Sequence, residues 1–168
     1  MTQSTAEGAP APSRIKFLVV AADCDEARRA AFFAGRRARN SNALVTLLYV
    51  MEPPEFGHWA SVAETMRAEA EEAAEALLHE FSAEVKAQSG DDPELVMREG
   101  DTADEIRQLI SDDGDIAFIF LGAATDDSGP GPLVTAVAKD PGYLAPRPIP
   151  VVIVPGSASR DELRRLAG

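Results

Sequence analysis

The chain has 168 residues, 45% of them hydrophobic and 26% charged, which corresponds to about one soluble domain with its own core. Its 28 acids and 16 bases leave a net charge of -12, and residues 55–105 carry all of it: 15 acids stand there against Arg67, Lys86 and Arg98. That sign argues against nonspecific nucleic-acid and anionic-membrane binding, which reward clustered Lys and Arg, and the lone Cys24 excludes an intrachain disulfide or a multi-cysteine metal site.

No apolar run approaches the roughly 20 residues needed to span a bilayer. The N-terminus has neither the basic nor the apolar region of a signal peptide, so the expected location is cytoplasmic. Met1–Ser13 is small, polar and Pro-interrupted, and reads as a disordered tail. Ile15–Ala21 is a short β-branched run, read as a buried strand. Asp23-Cys24-Asp25-Glu26 suits a helix start, and alanines at helical spacing continue to Asn40. The five arginines of that helix read as a solvated face. Asn40-Ser41-Asn42 is a stop, and Ala43–Val50 is a second buried strand.

Pro53-Pro54 breaks the pattern. Phe56 and Trp59 beside it read as a local cluster capping the sheet, or as a lid or contact surface. A long helix is predicted from Ser61 to Ala87. Its stripe of Val62, Met66, Ala70, Ala73, Leu77, Phe81 and Val85 is read as packing on the sheet, with the acids on the opposite face. Glu94–Arg98 is a short strand, and Thr102-Ala-Asp-Glu105 has the pattern of a capping box. Ile116–Leu121 is the most apolar strand. Gly122–Gly131 is a loop, and Pro132–Lys139 is a short helix with Pro in its first turn. The prolines of Pro141–Pro150 forbid a regular helix. Val151–Val154 is the last strand, and Ser159–Glu162 opens a terminal helix. Continuous apolar strands alternating with helices imply a doubly wound α/β fold with a parallel sheet covered on both faces. The division expected is a tail over 1–13, an α/β domain over 14–155 and a helical extension over 156–168.

Ligands of such sheets sit beyond the strand carboxyl ends at the switch point. Two loops meet there if the first and fourth strands are neighbours: Ala22–Asp25 and Gly122–Gly131. A glycine-containing loop feeding a helix can present N–H groups to phosphate. Gly129-Pro-Gly131 also fits a plain turn. His58 and His79 have no ligand-spaced partner and read as surface residues. Neither a Walker A pattern nor a Gly-x-Ser-x-Gly elbow occurs.

Several segments together resemble the universal stress protein family. Leu18-Val-Val-Ala-Ala-Asp23 is similar to its first strand ending in Asp. Leu44–Pro54 is similar to its second strand and Glu-Pro segment. Gly100-Asp101-Thr-Ala-Asp-Glu-Ile106 is similar to its Gly-Asp helix opening. Phe120-Leu-Gly122 and Pro148-Ile-Pro-Val-Val-Ile-Val154 are similar to its last two strands. The resemblance implies a Rossmann-like five-stranded sheet of order 3-2-1-4-5 and homodimers paired through the last strand, here Val151–Val154. It also implies ATP or AMP binding through Gly-x-x-Gly, about nine residues, then Gly-Ser/Thr. Gly122 matches the first glycine, but Thr125 stands at the second and Thr135-Ala136 at the later pair. Asp126 and Asp127 are acids where a triphosphate is expected.

The expectation is therefore a non-enzymatic, homodimeric interaction module with a lost or weakened nucleotide site and no resident cofactor, working with an unidentified protein partner. The alternative is an ATP- or AMP-binding stress regulator, with Mg2+, using the 122–131 loop. The candidate pocket residues are Asp23, Val50, Gly122, Gly129, Gly131 and Thr135. No catalytic or metal-ligating residue is expected.

Overall fold

The structure, a computed structural model, describes residues 12–53 and 60–168. Residues 1–11, and with them most of the predicted tail, lie outside it, as do Phe56, His58 and Trp59.

Five strands form one all-parallel sheet: β1 (Lys16–Val20), β2 (Leu44–Met51), β3 (Glu94–Glu99), β4 (Ile116–Ala123) and β5 (Val151–Pro155), in the order β3-β2-β1-β4-β5. Five helices connect and follow them: α1 (Asp25–Ser41), α2 (Ala60–Ser89), α3 (Thr102–Asp112), α4 (Pro132–Lys139) and α5 (Arg160–Ala167). The expected fold and strand order are both present. Residues alternate across the pleat, so each strand feeds two cores. Phe17, Val19, Val45, Leu47 and Phe120 pack under α1 and α2. Leu18, Leu48, Ile119 and Leu121 pack against α3 and α4 on the other face. Both sets are buried, which is why these strands read as unbroken apolar runs.

The alanines of α1 are the buried seam, and Gly35 lets α2 approach closely. A Cβ at Gly35 would lie 3.0 Å from Gln88 Cβ. Helix α1 ends where Asn42 takes a left-handed conformation at φ 52°.

Helix α2 corrects the sequence reading. Its buried residues are Ala74, Leu77, Leu78, Phe81 and Val85, all from the middle of the helix onward. Val62 and Met66 are 52% and 40% exposed, and Ala70 and Ala73 are exposed as well. The apolar spacing of the N-terminal half is therefore not a packing stripe on the sheet. The α3 capping box is also corrected. Asp101, not Thr102, is the N-cap, and its Oδ1 accepts from Asp104 N–H at 3.0 Å. Ser159 does form the expected reciprocal box with Glu162.

The proline-rich segment 141–150 is irregular, as expected, and Arg147 ties it down. The guanidinium donates to the Ile110 carbonyl, to Asp113 O at 3.0 Å and to Ile116 O at 2.7 Å. The first two lie at the C-terminal end of α3, where carbonyls lack helical partners. Among the described residues, no helix is long and apolar enough to cross a membrane.

Candidate functional site

β1 and β4 pair in parallel at the centre of the sheet, and the direction in which successive strands are added reverses between them. A cavity of about 440 Å³ opens beyond their carboxyl ends. Val20 to Cys24 line one side of it, Tyr49, Val50 and Glu52 follow from β2, and Asp101 and Thr102 come from the start of α3. Leu121 and Gly122 close it from β4, Pro130 to Val134 from the loop and start of α4, and Tyr143 from the proline-rich segment. Each of the first four strands delivers residues at its carboxyl end, because parallel strands end on one side.

Of the six candidate pocket residues, Asp23, Val50, Gly122 and Gly131 line this cavity. Gly129 and Thr135 do not. Gly129 has φ 90° and open space around it, so it shapes the turn. Thr135 is exposed, and its hydroxyl donates to Gly131 O at 2.8 Å.

Gly122 has a packing role that the motif comparison did not show. A Cβ there would lie 2.3 Å from the backbone C and O of Glu26. The glycine lets β4 pass against the first turn of α1, whatever the cavity holds.

The 122–131 loop supplies little to a phosphate. Ser128 N–H donates to Asp126 Oδ1 at 2.9 Å, and Gly129 N–H donates to Asp126 O at 3.2 Å. Pro130 and Pro132 have no N–H. Within residues 128–132, only Gly131 keeps a backbone donor without a bond of this kind. Asp126 and Asp127 are exposed and do not line the cavity, which corrects the expectation that they sit where phosphate would lie. Hydrogen bonds from the Ser128 hydroxyl and N–H hold the Asp126 carboxyl below its ordinary pKa.

The acids that do line the cavity are Asp23, Glu26, Glu52 and Asp101, and no Lys or Arg lines it among the described residues. Two arginines reach lining residues from outside, and both are already paired. Arg28 bonds Asp23 Oδ1 and Glu80 Oε1, each at 2.9 Å. Arg107 lies 5.0 Å from the Tyr143 ring centroid and is paired with Asp104. Thr102 Oγ1 donates to Glu52 Oε1 at 3.3 Å.

Cys24 is half-buried at the cavity wall. Burial, aided by the Glu26 carboxylate, pushes its thiol up despite the Ala27 N–H, so the N-terminus of α1 does not make it a ready thiolate. His79 is exposed, and among the described residues no three His, Cys, Asp or Glu side chains are grouped to hold a metal ion.

Glu52, Asp101 and Tyr143 were not singled out as pocket residues from the sequence. The strand-end rule carries a signal for the first two, each of which directly follows a strand or its turn. Tyr143 arrives from a segment with no pattern that points to the cavity.

The sequence matches the family model described as the universal stress protein family over residues 15–155. The chain belongs to the universal stress protein family. Solved structures of similar fold include a universal stress protein from Lactobacillus plantarum, 23% identical, with TM-score 0.66, covering 84% of this chain and 99% of that one. A universal stress protein in complex with cAMP is 19% identical, with TM-score 0.60, covering 83% and 96%. A family protein from Arabidopsis thaliana with AMP bound is 17% identical, with TM-score 0.54, covering 84% and 91%. No curated protein matches this sequence. In this universal stress protein the fold and the switch-point cavity are present. Among the described residues no Lys or Arg lines it, and the backbone donors facing it are those of Gly131 and of Leu133 and Val134 in the first turn of α4.

Proposed function

We propose that this universal stress protein is a cytoplasmic, non-enzymatic stress-response protein that works as a homodimeric interaction module with a weakened nucleotide site. One observation carries the weakened site: Asp23, Glu26, Glu52 and Asp101 line the cavity with no Lys or Arg among the described residues, and the loop before α4 lends it only the Gly131 N–H. Phosphate binding by backbone requires several convergent N–H groups. The acidic lining adds repulsion. A carboxylate about 6 Å from a phosphate charge opposes it by about 3 kcal/mol at an effective dielectric near 20.

Pairing through Val151–Val154 is supported by position. β5 ends the strand order, and Ile153 is 41% exposed. α5 packs on α1 through Leu163 and Phe32 rather than extending the sheet. An uncovered edge strand is a template for a second copy.

The cavity itself favours a second reading, an ATP- or AMP-binding stress regulator using the 122–131 loop. Proteins of similar fold with AMP and cAMP bound support a nucleotide as the class of ligand. One measurement separates the two. Protein purified without added nucleotide is denatured and the supernatant analysed for ATP and AMP, and Mg-ATP is tested for thermal stabilisation. The first reading expects neither release nor stabilisation; stoichiometric nucleotide supports the second. Light scattering at micromolar concentration tests the dimer. It is expected to give twice the 17.9 kDa chain mass, falling to a single chain in Ile153→Glu. A monomeric wild type removes the module reading.

A further inference from the structure

The mismatch between cavity and phosphate has a positive side. We infer that the switch-point cavity selects an uncharged nucleoside over the corresponding nucleotide. This rests on the reading above that the cavity is a nucleotide site with its phosphate half weakened. Its volume of about 440 Å³ falls in the range of small-molecule sites. Val20, Val50, Leu121 and Leu133 supply apolar wall for a base.

The polar part of the lining is rich in acceptors. Asp23 uses Oδ1 for Arg28, Asp101 uses Oδ1 for Asp104 N–H, and Glu52 uses Oε1 for Thr102. Each carboxylate keeps its second oxygen without a protein donor among the described residues. Ionised carboxylates only accept hydrogen bonds. They therefore match ribose hydroxyls and an exocyclic amine, which donate. A phosphate ionised at neutral pH brings further acceptors and negative charge. It meets no cation in the lining, and the nearby Arg28 and Arg107 are already paired. One cavity thus favours the nucleoside half and opposes the phosphate half.

The test is calorimetric titration of the full chain with adenosine, AMP and ATP, without Mg2+. Adenosine is expected to bind, AMP at least tenfold more weakly, and ATP more weakly again. Raising NaCl from about 20 to about 300 mM screens the repulsion. It should tighten AMP and leave adenosine within twofold. The double variant Glu52→Gln, Asp101→Asn keeps acceptors and a good N-cap. It should narrow the gap between AMP and adenosine about tenfold. AMP or ATP binding more tightly than adenosine overturns both this inference and the weakened-site reading. No binding by any of the three overturns this inference alone. An unchanged AMP affinity across the salt series removes its electrostatic basis without depending on either variant.

Discussion

At the residue scale, Gly122 separates packing from ligand chemistry. As a motif residue it points to a phosphate loop, but in the fold its missing Cβ makes room for the backbone of Glu26. Gly122→Ala is expected to destabilise the protein by about 3 kcal/mol, an overpacking cost set by contact with rigid backbone. Urea unfolding without ligand checks this; a loss of stability below about 0.5 kcal/mol would return Gly122 to a purely ligand-related role. A second residue-scale expectation concerns pH. Asp113 accepts from Lys16 Nζ at 2.7 Å. Burial pushes the Asp113 carboxyl up, but Lys16 and the Asp115 N–H outweigh it, so its pKa lies below the ordinary 3.8. Lys16 is raised in turn, first by Asp113. A depressed carboxylate contributes stability that is full above its unfolded pKa and lost as pH falls through the folded one. Asp113→Asn should therefore cost about 1.5 kcal/mol near neutral pH and progressively less below about pH 4. Urea midpoints at the two pH values decide it.

At the element scale, α2 shows how one spacing describes two environments. Steps of three and four residues run through the whole helix, yet only its C-terminal half meets α1 and the sheet. Phe81→Ala should cost about 4 kcal/mol, as for a buried ring. Met66→Ser should cost under about 0.5 kcal/mol, as for a surface position. Chemical denaturation of the two variants tests this, and comparable losses would mean the N-terminal half is packed. The periodicity was legible because alanine and leucine recur. Which turns are covered was not, because that depends on where the sheet ends. The capping of α3 makes a similar point. Asp101 and Thr102 are both good N-cap residues, and the backbone path out of β3 selects Asp101, leaving Thr102 to bond Glu52.

At the scale of the whole molecule, the charge of -12 concentrates in residues 55–105, chiefly α2, β3 and the start of α3. Glu64, Glu69, Glu72 and Glu75 form no ion pair among the described residues, so the flank repels itself. Raising salt from about 10 to about 150 mM should raise the melting temperature, because the Debye length shortens from about 30 to about 8 Å and screens repulsion across the flank. A scanning calorimetry series checks the sign, and a fall would mean that attractive pairs dominate. The same charge disfavours this flank as a contact between copies and leaves β5 as the candidate edge. Alternating apolar runs and helical spacing by themselves determined the element order and the parallel sheet, because burial on both faces leaves no other use for such strands. The resemblance of ordered segments supplied the strand order, and the switch-point rule for open sheets supplied the cavity's location. Tertiary structure alone decided that Gly129, Thr135, Asp126 and Asp127 stand away from the cavity. It also decided that Glu52, Asp101 and Tyr143 stand at it. The reason is physical: period and composition report which residues are buried, whereas a site is made by chain segments far apart in sequence, whose meeting depends on how strands end and loops turn.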